Sequence, residues 1–118
     1  MGRLRPQPQQ RRFRRRLVRV LVDFVGDGAP RCDYATTLGA GGLFIETGEP
    51  LRLGSPLRVR FRLPGGATIH AIEGRVTWLH GTGDTASRDE RPPGMGVEFT
   101  DAAAAARLAR ELEALADD

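Results

Sequence analysis

The chain has 118 residues, 40% of them apolar, a net charge of +3 and one cysteine, which fits one domain with one modest core. No apolar run approaches the roughly 18 residues that span a bilayer, and the arginine-rich N-terminus has no following hydrophobic region of the signal-peptide kind, so a cytoplasmic location is expected. Lone Cys32 excludes an internal disulfide and is expected to be a small buried or half-buried thiol.

The charge is unevenly placed. Residues 1–19 carry eight arginines and no acid, whereas the remainder has ten arginines against fifteen acids, giving +8 and −5. Basic character therefore sits in one terminal segment on a mildly acidic body. All eighteen basic residues are arginine, a usage that a GC-rich coding sequence explains without any phosphate ligand. Apart from Phe13, no aromatic residue interleaves the N-terminal arginines, so nucleic acid is not an expected partner.

Residues 1–10, with two prolines and three glutamines, show no apolar periodicity and read as a flexible basic arm, leaving 11–116 as the domain. Val18, Val20, Val22 and Phe24 alternate with Arg19, Leu21 and Asp23, which predicts a first strand. The Gly26–Pro30 break leads to a second extended segment over Arg31–Thr37. Gly39, Gly41 and Gly42 then predict a tight reversal with left-handed backbone, delivering a third strand over Gly42–Thr47.

Leu57, Val59, Phe61 and Leu63 give the cleanest alternation of the chain, with Arg58, Arg60 and Arg62 pointing outward. Pro64-Gly65-Gly66 turns into a long strand over Thr68–Leu79, where Ile69 and Ala71 fall on one parity and Ile72, Gly74, Val76 and Trp78 on the other. That phase change predicts a β-bulge near Ala71. Residues 80–93 read as a long exposed loop, and Met95, Val97 and Phe99 as a last strand. From Asp101 the period becomes helical, with Thr100 or Asp101 as cap and Leu108, Leu112 and Leu115 on one face. Six strands and one terminal helix predict an all-β fold, a small antiparallel barrel or curled sheet with the helix lying over it.

No catalytic set is legible. His70 and His80 with one cysteine do not make a zinc site, Ser55 and Ser87 lie in no nucleophile elbow, and the glycine cluster leads to a strand rather than to the helix that phosphate-binding loops require. An enzyme is not expected, and neither is a cofactor.

In order and spacing, four features resemble the PilZ domain family over about Arg11 to Leu115, and most closely its myxobacterial PilZ-like branch. They are the arginine cluster before the first strand, the Gly41-Gly42-Leu43-Phe44-Ile45-Glu46-Thr47 run, Gly74-Arg75-Val76-Thr77-Trp78, and Gly94-Met95-Gly96-Val97-Glu98-Phe99. The resemblance implies a six-stranded antiparallel barrel with a C-terminal helix, acting as a receptor or adaptor for the bacterial second messenger cyclic di-GMP together with a protein partner.

The family's ligand motifs are Arg-x-x-x-Arg and Asp/Asn-x-Ser-x-x-Gly. Arg11 with Arg15 matches the first best, Arg12 with Arg16 lies one residue off, and Arg15 with Arg19 shares the spacing. Arginine suits the task, since its planar fork pairs with phosphate or with guanine O6 and N7. In the second motif Thr37 stands for the acid or amide and Gly39 for the serine, while Gly42 matches. Asp33, on the same parity as Thr37, lies four residues too early to replace it. The departure leaves an alternative implied by the same resemblance: a protein-interaction module whose nucleotide site has decayed.

Overall fold

Alternating apolar residues build β1 (Arg15–Val25), β2 (Arg31–Gly39), β3 (Gly42–Glu46), β4 (Pro56–Arg62), β5 (Ile69–His80) and β6 (Gly94–Phe99), and a helix, α1 (Ala102–Ala116), follows. The computed structural model describes residues 15–81 and 93–116; the arm at 1–10 and most of the expected 80–93 loop lie outside them. All pairings are antiparallel, and the order β1-β2-β3-β6-β5-β4 closes into a barrel. Closure matches the expected fold and removes the free strand edges of an open sheet.

One side of each strand fills the interior. Val20, Val22 and Phe24 meet Val59, Phe61 and Ile72 inside, and Ala104, Leu108 and Leu112 of α1 join the same buried cluster. These three helical positions share a stripe at spacings of four, so α1 plugs the barrel with its apolar side and faces solvent with Arg107, Arg110 and Glu113. Asp101 is the cap: its Oδ1 accepts from Ala104 N at 3.1 Å, satisfying one of the free amides of the first turn.

A polar contact also fastens the plug. His70 faces inward from β5 and is almost fully buried, and its Nε2 lies 2.6 Å from Glu111 Oε1 of α1. Glu111→Ala strands this ring nitrogen without a partner and is expected to cost about 1–3 kcal/mol in a urea denaturation, with Glu111→Gln, which keeps an acceptor, recovering much of it.

The irregularities are not all where sequence alternation puts them. His70, Ile72, Gly74 and Val76 are buried in unbroken phase while Ile69 and Ala71 are exposed, so there is no bulge at Ala71. The slip falls between Val76 and Trp78 in the pairing with β6, with Thr77 as the extra residue. A second slip lies in β2 at Thr36, between Ala35 and Thr37 against β3, and a third in β1 between Leu17 and Val20. Cys32 is exposed rather than buried. It stands across from Asp23, and desolvation, followed by the hydrogen bond and charge of Asp23, raises its thiol pKa.

Candidate ligand site at the glycine hairpin

The hairpin between β2 and β3 is two residues long, Ala40 and Gly41, because Gly39 pairs directly with Gly42. It does not use the left-handed backbone expected of it: the described glycines with positive φ are Gly28, Gly54, Gly65 and Gly81. Close approach explains Gly42 instead. A Cβ there would collide with the carbonyl oxygen of Val97 in β6. The hairpin is tied down further by Phe99 N donating to Gly41 O at 3.0 Å.

Strand register assembles two transverse rows beside this turn. In the first, Arg15 pairs with Gly39, Gly39 with Gly42, Gly42 with Glu98 and Glu98 with Arg75. In the second, Leu17 pairs with Thr37, Thr37 with Phe44, Phe44 with Gly96 and Gly96 with Trp78. The backbone thus brings Arg15, Thr37, Gly39 and Gly42 together, with Arg16 opposite Leu38. Arg11 and Arg12 lie outside the described residues. Arg19 is engaged elsewhere, with its guanidinium 4.2 Å from the Tyr34 ring centre, which favours the Arg11/Arg15 and Arg12/Arg16 spacings over Arg15/Arg19.

Thr37 is half-buried, and its Oγ1 is buried with no hydrogen-bond partner among the described residues. An unpaired buried hydroxyl costs about 1–3 kcal/mol, so it is a group for which a ligand or ordered water would be a stabilising partner. The bulge at Thr36 breaks the phase that Thr37 and Asp33 share in sequence. Asp33 belongs to the other end of β2, 3.8 Å from Arg31 Nη2, where Arg31 also donates to Thr47 Oγ1 at 2.9 Å and Glu49 O at 2.7 Å. Asp33 therefore does not replace the missing acid. The exposed carboxylate nearest the hairpin in register is Glu98, opposite Gly42.

The second row also contains a residue that sequence alternation places on the parity of Ile72 and Val76. Plain alternation points Trp78 inward with Val76, but the bulge at Thr77 turns it to the outer surface over Gly96, whose missing side chain leaves room for the indole. Trp78 stacks on Phe44 with ring centres 5.2 Å apart at 28°, and it remains 37% exposed. Together they form an aromatic shelf beside Thr37, a surface suited to stacking a planar base. The available sequence signal was Gly94 and Gly96, two side-chain-free positions on the outer parity of β6.

A closed barrel plugged by a terminal helix, with arginines leading into β1 beside a glycine hairpin, defines a class of small domain. A model of the PilZ domain family matches residues 9–116. The chain belongs to the PilZ domain family. The fold is similar to the inhibitor of motility MotI/DgrA of Bacillus subtilis, with TM-score 0.70 at 18% identity, over 88% of this chain and 49% of that one. This chain therefore spans about half the length of that protein. It is also similar to the PilZ domain of CeSA from a cellulose-synthesizing bacterium, with TM-score 0.58 at 18% identity, over 85% of this chain and 98% of that one. No curated protein matches at a significant level.

Proposed function

We propose that this chain is a non-catalytic cyclic di-GMP receptor and adaptor. The observation that carries the reading is the register in which Arg15 lies opposite Gly39, and Leu17 opposite Thr37, at the mouth of the hairpin. It supports the reading because the backbone of Arg15 and Arg16 runs beside Thr37 and Gly39. In this reading Arg11 and Arg15, with Arg12 and Arg16 in support, pair with phosphate and guanine edges. Thr37 Oγ1 supplies a hydrogen bond, Gly39 and Gly42 permit close backbone approach, and Trp78 offers a stacking face. Calorimetric titration with cyclic di-GMP is expected to show micromolar binding that weakens at least about tenfold in Arg11→Ala/Arg15→Ala, since two charge-assisted contacts are lost. No heat at roughly a hundredfold higher ligand would exclude the reading.

A second reading rests on Thr37 and Gly39 themselves, which lack the carboxylate or amide and the hydroxyl of the family motif. Here the domain binds a protein partner without nucleotide. Binding of that partner would then be indifferent to cyclic di-GMP and to the arginine substitutions.

A further inference from the structure

The side of the barrel centred on β1 and β4, opposite β6 and β3, carries features that the ligand site does not use. In the closed order β1 lies three strands from β6, and β4 three strands from β3. Across this far face Tyr34 of β2 stands opposite Leu21 of β1, and Arg62 of β4 opposite Ile69 of β5. The β1–β4 pairing runs from Val25 and Arg58 to Asp23 and Arg60, and carrying that antiparallel register on by two residues puts Leu21 level with Arg62. Tyr34, Leu21, Arg62 and Ile69 therefore form one row across four strands, about 14 Å long at the usual strand spacing.

Three members of that row are large apolar side chains standing in solvent: Leu21 is 53% exposed, Tyr34 40% and Ile69 52%. Single exposed apolar residues are ordinary, whereas Leu21 and Tyr34 side by side on adjoining strands, with Ile69 on the far side of the Arg62 stem, make a patch. Charge frames it unevenly. Arg58 is paired with Glu73 at 2.7 Å, but Arg60 and Arg62 are exposed and form no ion pair among the described residues. Arg19 lies over the Tyr34 ring. Against these three arginines the same face offers Asp23 as the one acid outside an ion pair among the described residues.

We propose that this face docks an acidic amphipathic helix of a partner protein. A closed barrel has no edge to accept an added strand, so a partner must read side chains. Apolar residues at helical spacings of three and four lie about 5–6 Å apart, close to the strand spacing of the row, and flanking glutamates would meet Arg19, Arg60 and Arg62. Charge argues against a second copy of this chain: two-fold pairing of the face on itself brings the same arginines together. Stacked nucleic acid is a poorer match, because Arg19 covers one face of Tyr34 while Leu21 and Ile69 offer no ring.

The test is amide NMR of the full chain titrated with a synthetic helix of roughly 18 residues, leucines on one face and glutamates flanking them. Shifts are expected at Leu21, Tyr34, Arg60, Arg62 and Ile69, with a lysine-for-glutamate version of the peptide ineffective. Leu21→Asp/Ile69→Asp should weaken binding about tenfold, and Arg60→Gln/Arg62→Gln, which leaves the apolar row in place, should abolish the preference for glutamate over lysine. No shifts at these residues, or unchanged affinity in both double variants, overturns the proposal. Stronger binding there by phosphatidylglycerol vesicles or a single-stranded oligonucleotide overturns the assignment to a polypeptide.

Discussion

Gly42→Ala is expected to lower the unfolding free energy by about 2–4 kcal/mol, which is large for one methyl group. The added Cβ would collide with the Val97 carbonyl oxygen and lie 3.3 Å from Glu98 Cα. Both are backbone atoms of β6, so no rotamer change relieves the overlap and the seam between β3 and β6 must open. Gly48→Ala is the control, since nothing lies within 4 Å of a Cβ there; its denaturation midpoint should stay near that of the parent. If Gly42→Ala unfolds at the parent's midpoint, the close packing of this seam is wrong. The prediction also bears on ligand studies: loss of binding in a Gly42 variant would report a damaged barrel before it reported a lost contact.

Thr37→Asp/Gly39→Ser is expected to raise affinity for cyclic di-GMP by roughly 30- to 1000-fold, corresponding to about 2–4 kcal/mol from one charge-assisted and one neutral hydrogen bond. The position can use the change, because Thr37 Oγ1 is buried and unpaired among the described residues. Without ligand the same variant should be less stable, since a carboxylate at a half-buried position without a partner is costly. Thr37→Val separates the two effects. It removes a hydroxyl that has no partner among the described residues, so it should leave the free protein as stable or raise its stability by about 1 kcal/mol while weakening the ligand. Calorimetry and thermal melting of the three proteins read both quantities. No gain in the double variant means that the motif alignment or the ligand is mistaken.

Most of the fold is legible because period-two patterning is strong wherever one strand face fills an interior. Leu57, Val59 and Phe61 are buried and Arg58, Arg60 and Arg62 exposed as alternation dictates. The failures have two physical causes. Bulges insert a residue without a sequence marker, so Trp78 shares the sequence parity of Val76, and Thr37 that of Asp33, without sharing its face. Burial of a polar residue depends on a remote partner. His70 reads as a surface residue until Glu111, forty-one positions later, supplies its hydrogen bond, and Ile69 then looks like the inward residue in its place. At the candidate site the motif residues come from the resemblance to the family's motifs, but the reason for Gly42 does not: its neighbour Val97 is fifty-five positions away, and only the β3–β6 pairing brings the two together.

Closure of the barrel also bears on how the chain folds. The first strand must find β4, pairing Asp23–Val25 with Arg58–Arg60, and the interior is complete only when Leu108 and Leu112 enter it. Pairings so distant along the chain carry a loop-closure cost before they return any burial. During synthesis the apolar sides of six strands therefore wait, unsealed, for a helix that is made after all of them, and that interval is when the domain is most exposed to aggregation or to capture by a chaperone.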